Sequence, residues 1–205
     1  MEISTRCCNS LAIMQCIAMH PETRTVFIES NVPLYIFPFI NIRHHKSVNL
    51  EKIRLTGLGV FGSLLQSNDP EVVKYLIQTE IVPLCLKILR EATEISQTVA
   101  AYIIQKILID RQGLEYVCAT SDRFFSVSDV LIETVEKMIN KNSIRLLKHI
   151  IHCYLCLSAN RKARNALRKC LPSALRTNAF EHLLSRDSDA QKWLNQLIHN
   201  LSLRD

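Results

Sequence analysis

Pro21-Glu-Thr-Arg-Thr-Val-Phe-Ile-Glu-Ser-Asn-Val-Pro33-Leu34 and Pro70-Glu-Val-Val-Lys-Tyr-Leu-Ile-Gln-Thr-Glu-Ile-Val-Pro83-Leu84 are two copies of one pattern. The leading prolines stand 49 residues apart and the trailing prolines 50. A Pro-Glu pair suits the start of a helix. Proline has no N–H to leave unpaired in the first turn, and the glutamate carboxylate complements the positive end of the helix dipole. Each copy therefore predicts a short helix, then a second helix opened by Val-Pro-Leu and beginning Leu34-Tyr-Ile-Phe or Leu84-Cys-Leu-Lys.

A longer third helix closes each unit, over Asn49–Gln66, Glu94–Asp110 and Asn142–Ser158. Arg111–Thr120 and Asp122–Met138 fill the first and second places of the last of these, and Ser4–His20 reads as a third helix standing alone. Short, medium and long helices recurring every ~42–50 residues are the armadillo or HEAT pattern. The expected fold is thus an all-α, right-handed solenoid of three-helix repeats, one domain over 1–205. Stacked repeats bury both faces of their short helices, which accounts for 48% apolar residues without one dominant amphipathic stripe.

Composition excludes the alternatives. The 205-residue chain has 21% charged residues, far from the regime of disordered chains. Four glycines are too few for the turns of a sandwich or barrel. Gly57, Gly59 and Gly62 have no Lys-Ser/Thr ending that would make a phosphate loop. No apolar run approaches the ~18 residues of a membrane span, and the start Met1-Glu-Ile-Ser-Thr-Arg-Cys-Cys does not read as a signal peptide. Eight cysteines in such a chain are expected as reduced thiols, and a cytosolic or nuclear protein with no membrane partner is expected.

The net charge of +6 is unevenly placed. From Lys137 to Phe180 there is no acidic residue, while Lys137, Lys141, Arg145, Lys148, Arg161, Lys162, Arg164, Arg168, Lys169 and Arg176 are basic. Such a field attracts polyanions or acidic peptides, or is simply a solvated face.

At ~100° per residue, each third helix shows a polar or small stripe. These are Lys52, Thr56, Gly59, Ser63 and Gln66; then Val99, Tyr102 and Lys106; then Arg145, Lys148, His149, His152, Cys153 and Cys156. Leu146, Leu147, Ile150, Ile151, Tyr154 and Leu157 form the opposite face of the last helix. In armadillo stacks the third helices line a concave groove, where the three stripes would lie side by side. Gly59 costs about 1 kcal/mol relative to alanine in a helix, so something approaches it closely, either a ligand or a neighbouring helix.

The strings His20-Pro-Glu-Thr-Arg24, Ile53-Arg-Leu-Thr56, Leu58-Gly-Val60, Glu80-Ile-Val-Pro-Leu-Cys-Leu86, Thr98-Val-Ala100, Gln105-Lys-Ile-Leu108, Arg145-Leu-Leu-Lys-His149 and Lys169-Cys-Leu-Pro172 recur in order. Together they resemble the Rcd ("required for cell differentiation") family, the armadillo subunit of the CCR–NOT mRNA deadenylase complex. The resemblance runs from about Arg6 to Leu201 and implies a non-catalytic adaptor without cofactors. Its implied partners are the scaffold subunit of that complex and short linear peptides of mRNA-bound repressors, and a homodimer is among the assemblies it allows. The family positions associated with peptide docking fall on Lys52, Gly59, Val99 and Arg145, within a groove of Lys52, Thr56, Gly59, Ser63, Val99, Tyr102, Lys106 and Arg145. The resemblance implies residence in the cytoplasm, including mRNA-processing bodies, and in the nucleus.

The chain departs from the family at its start, where an N-terminal repeat reads as truncated, and in the loop Asn41-Ile-Arg-His-His-Lys-Ser-Val48. A family tryptophan pocket uses a Thr-Tyr-Glu-Arg-Phe string, which here reads Thr120-Ser-Asp-Arg-Phe124. Arg123 is kept and Ser121 replaces the tyrosine, which weakens or removes that pocket.

The second functional reading is direct binding of single-stranded nucleic acid through Arg145, Lys148, His149, Arg161, Arg164 and Arg168. Other chemistries fit less well. His149, His152, Cys153 and Cys156 fall in one row on one helix, whereas tetrahedral zinc draws ligand pairs from two elements. His44-His45 reads as a solvated loop pair. Cys153-Tyr-Leu-Cys156 lies mid-helix, not at the strand-to-helix junction of a redox motif. Trp193, with Leu194, Leu197 and Ile198, reads as the core face of a capping helix.

Overall fold

A computed structural model describes residues 3–42, 47–139 and 141–203, and among these every regular element is helical. His44-His45 lies outside the described residues. The chain forms two compact units, Met1–Asp110 and Arg111–Asp205.

The first unit runs α1 (Ile3–Met19), α2 (Pro21–Glu29), a 3-10 turn (Val32–Ile36), α3 (Phe37–Ile40), α4 (Val48–Gln66), α5 (Pro70–Leu76), α6 (Ile81–Glu91) and α7 (Glu94–Ile109). The prolines act as expected at α2 and α5, and the Asp69 side chain also caps α5 by accepting from the Glu71 N–H at 3.1 Å. The two second helices differ from the sequence expectation. Pro33 sits in a 3-10 turn, and a four-residue helix follows with Pro38 in its first turn. A continuous helix is blocked there because Pro38 has no N–H for the carbonyl four residues back, and its ring crowds that carbonyl. In the other copy α6 begins at Ile81, two residues ahead of Pro83, which falls in the first turn where no donor is needed.

The second unit runs α8 (Arg111–Cys118), α9 (Ser121–Met138), α10 (Ile144–Ala159), α11 (Arg161–Cys170), two 3-10 turns (Ser173–Leu175 and Asn178–Phe180), α12 (Glu181–Leu184) and α13 (Ser188–Ser202). Side chains cap three of its helices: Thr120 accepts from the Arg123 N–H, Asn160 from Ala163, and Asp187 from Asp189 and Ala190.

The long helices pack in parallel pairs. α4 lies against α1 and α7, and α10 against α13. Thr93, the N-cap of α7, donates to Glu51 at the start of α4 (2.6 Å), and Lys106 near the end of α7 donates to Asn68 just past α4 (2.6 Å). In the second unit Lys148 meets Asp187 early along the pair, and Asn200 donates to Ser158 late along it (2.9 Å). Partners across these pairs are 38 to 42 residues apart. Leu58, Val60, Phe61 and Leu64 of α4 are fully buried, and Phe61 stacks on Phe37 at 5.3 Å between ring centroids.

Arg54 belongs to this core, with 1% of its surface exposed. Its guanidinium pairs with Glu51 one turn earlier and donates to the carbonyls of Ile40 and Ile42. One buried cation thus ties the end of the preceding segment to α4 and satisfies acceptors that burial would otherwise strand. Replacing Arg54 with alanine is expected to destabilise the protein by about 2–4 kcal/mol, because two carbonyls and a part-buried carboxylate lose their donor. A lowered urea midpoint at constant m-value checks this, and Arg54→Lys should recover only a fraction of the loss.

Candidate functional site

The stripe residues of the first unit sit where α4 and α7 run together. Lys52 is exposed, and Thr56, Gly59, Ser63, Val99, Tyr102 and Lys106 are half-buried. A Cβ on Gly62 would lie 3.7 Å from the Tyr102 ring, so residues 40 apart face each other at this level. The same offset sets Val99 level with Gly59. Lys106 holds its ammonium 5.8 Å from the Tyr102 ring centre while donating to Asn68. Burial pushes the Tyr102 phenol above its ordinary range. The strip is therefore half-apolar in its middle, with a lysine towards each end.

The close approach at Gly59 comes from within the fold. Gln15 of α1 donates through Nε2 to the Thr56 carbonyl at 2.8 Å. A Cβ on Gly59 would stand 2.3 Å from that same Nε2. Of the two explanations open at Gly59, helix packing is the one realised. The side chain concerned was not legible in the sequence, because Gln15 sits in a different repeat.

In the second unit the polar stripe of α10 is mostly covered by α13. Lys148 lies 2.9 Å from Asp187 and 3.4 Å from Asp189. Its ammonium is also 5.2 Å from the Trp193 ring centre. The Trp193 indole stacks on His152, with centroids 4.1 Å apart and planes 9° from parallel. Trp193 is thus half-buried against the polar stripe and not on the core face assigned to it. The Lys148–Asp187 pair anchors the start of α13 and brings its second turn over His152, while Ala190, Leu194 and Leu197 take the core. Cys153 is also corrected: it is fully buried. At the edge of its arc it lies beside Leu146 and Ile150 and follows them inward.

Arg145 is exposed, and burial, with His152 and Lys148 nearby, pushes His149 down to about 4. On α11, Arg161 is exposed and Arg164 half-buried. Arg168 is engaged at the end of α13, donating to the carbonyls of Leu201 and Leu203 and to Asn165. Two of the six residues of the nucleic-acid reading, Lys148 and Arg168, therefore hold the fold. No group of three or more His, Cys, Asp or Glu is gathered as a metal ion would need among the described residues.

A cleft of about 140 Å³ opens between α9 and α11, beside the string Thr120-Ser-Asp-Arg-Phe124. Ser121, Phe124, Phe125, Lys162, Ala163 and Ala166 supply most of its wall. Arg123 lies instead over Tyr116, 4.2 Å from the ring centre, and donates to the Tyr116 carbonyl. Sequence reasoning missed Lys162, which reaches the cleft from α11, and Tyr116 of α8, which engages Arg123.

Residues 1–201 match the family model described as "Cell differentiation family, Rcd1-like". The chain is 48% identical over 199 residues to "Cell differentiation protein rcd1" of Schizosaccharomyces pombe, covering 97% of this chain and 70% of that protein. It is 44% identical over 201 residues to "Protein CAF40" of Saccharomyces cerevisiae, covering 98% of this chain and 54% of that protein, so it spans about half the length of this relative. Among solved structures it resembles computationally designed armadillo repeat proteins for modular peptide recognition, with a TM-score of 0.52 at 14% identity over 94% of this chain and 92% of that one. A designed armadillo repeat protein in complex with the peptide (KR)4 gives 0.52 at 14% identity over 95% and 92%. The armadillo-type, all-α fold is the one the repeat pattern predicted.

Two outcomes follow from this geometry. In a double-mutant cycle Gly59→Ala alone should leave stability nearly unchanged, since helix propensity gained offsets the displaced Gln15. In a Gln15→Ala background it should stabilise by about 1 kcal/mol. For His149, the folded value lies below the unfolded one, so the unfolded chain takes up the proton first. Stability is then full above about pH 6.5 and falls towards pH 4 by up to about 3 kcal/mol. Urea titrations from pH 7 to 4 measure the slope, which His149→Gln should flatten.

Proposed function

Since the chain belongs to the Rcd1-like cell differentiation family, we propose that it is a non-catalytic adaptor of the CCR–NOT deadenylase machinery. In this reading the whole chain is one armadillo domain acting in the cytoplasm, including mRNA-processing bodies, and in the nucleus. It joins the scaffold subunit, receives short peptides of mRNA-bound repressors and so promotes deadenylation, translational repression and decay. The observation that carries the reading is the strip where α4 and α7 lie parallel, with Val99 and Tyr102 half-exposed between Lys52 and Lys106. An amphipathic peptide places apolar side chains against such a middle and acidic or carbonyl groups at its ends. The resemblance to a designed armadillo protein that holds a peptide supports the same use of the fold.

The basic window favours a second reading, single-stranded nucleic acid on α10 and α11. Arg145 and Arg161 are exposed there, while Lys148 and Arg168 are committed elsewhere.

The test is a polarisation titration of a labelled repressor peptide, with an unlabelled oligonucleotide as competitor. Val99→Glu should weaken the peptide about tenfold or more, by placing an unpaired carboxylate in the apolar middle, with helicity and unfolding midpoint unchanged. Equal binding by the variant removes the α4–α7 strip as the site. Peptide displacement by the oligonucleotide, with log affinity falling by about 0.7 per phosphate contact per log unit of salt, supports the second reading.

A further inference from the structure

The first unit holds another concavity, away from the third helices. Between α2 and α5 lies a cleft of about 380 Å³, at the lower end of the ~300–1,000 Å³ range of ligand pockets. Ile28 and Tyr75 supply apolar wall, and Arg24, Glu29, Asp69, Glu71 and Lys74 supply its charges.

The cations in this wall are already engaged. Arg24 lies 3.6 Å from Asp69 and donates to the Met19 carbonyl, and Lys74 lies 3.0 Å from Glu71. Glu29 has no ion-pair partner among the described residues, and it is exposed at the rim. Three carboxylates thus face two cations, and the surplus charge is negative. Two wall residues also carry hydrogen-bonding atoms that are buried and unmet: the Tyr75 hydroxyl and Arg24 Nε. Native folds leave few such atoms; the Tyr75 hydroxyl can accept from a donor head, whereas Arg24 Nε is itself a donor and needs an acceptor such as a peptide carbonyl.

We propose that this α2–α5 cleft is a docking pocket for a basic side chain, arginine or lysine, of a peptide partner. The alkyl stem packs on Ile28 and the Tyr75 ring, whose face attracts a cation, and the charged head meets Glu29, with Asp69 and Glu71 adding to the negative field. An anionic ligand does not fit, because both wall cations are paired and a third carboxylate stands open. An apolar side chain would leave Glu29 next to it and unpaired. The pocket lies on the short first helices, so it is independent of the strip on α4 and α7.

The experiment is an NMR titration of the full ¹⁵N-labelled chain with the blocked peptide Ac-Ala-Ala-Arg-Ala-Ala-NH₂ and with its citrulline and glutamate counterparts. The arginine probe should shift the amides of Ile28, Glu29 and Gln78, and citrulline, equal in shape but neutral, should bind about fivefold more weakly. Glu29→Gln, an exposed change with no folding role, should weaken the arginine probe about two- to fivefold. Val99→Glu should leave it unchanged, which separates this pocket from the peptide strip. Equal binding of citrulline, preference for glutamate, shifts confined to α4 and α7, or no shift at millimolar probe would each overturn the proposal.

Discussion

Parallel contact between long helices one repeat apart is the constraint on which this structure rests. α4 shows it most fully, because α1 and α7 lie along its two flanks and its apolar residues are buried on both. Burial of this kind supplies most of the driving force but does not fix register, since apolar contact is non-directional. The register is set by polar contacts at the margins: Gln15 on the Thr56 carbonyl, Thr93 on Glu51, Lys106 on Asn68. Each needs a donor within about 3 Å of one particular acceptor, so sliding α4 by one residue would break all three.

The same logic governs charge in the second unit. Lys148 and Arg168 look like parts of a basic face when counted along the chain. In the fold one is the counterion at the start of α13 and the other donates to carbonyls at its end. Arg176 likewise donates to carbonyls at the end of α11. Cations at helix C-termini complement the dipole there and satisfy acceptors that the helix leaves open. Part of the positive window is therefore consumed in holding helices together. Lys137, Lys141, Arg145, Arg161, Lys162 and Lys169 stay exposed.

The two kinds of helix divide the labour. Long helices carry the register contacts, and the strip between Lys52 and Lys106 is a by-product of their alignment. The described clefts beside the first helices lie between α2 and α5 in one unit and between α9 and α11 in the other. The rims of these clefts carry polar residues, among them Glu29, Glu71 and Lys74 in the first and Thr120, Ser121 and Lys162 in the second. Binding chemistry can then vary from repeat to repeat while the long-helix stack stays the same.

Much of this was legible without coordinates. The Pro-Glu pairs located α2 and α5, because proline geometry and helix-end electrostatics act within a few residues, whereas Val-Pro-Leu did not mark where the second helices begin. The ordered strings from His20 to Pro172 likewise pointed to the family. What could not be read was which polar residues the neighbours would claim. Gln15 filling the notch at Gly59, Trp193 stacking on His152 and Arg123 turning onto Tyr116 all depend on side chains from other helices. Helical periodicity gives the direction of a side chain around its own axis, and Cys153, at the edge of its arc, shows how coarse that is. Local backbone preference and spacing were enough for the long helices, the Pro-Glu helices and their order. Which charges stay exposed follows from the assembled fold, because partners 39 and 33 residues away claim Lys148 and Arg168.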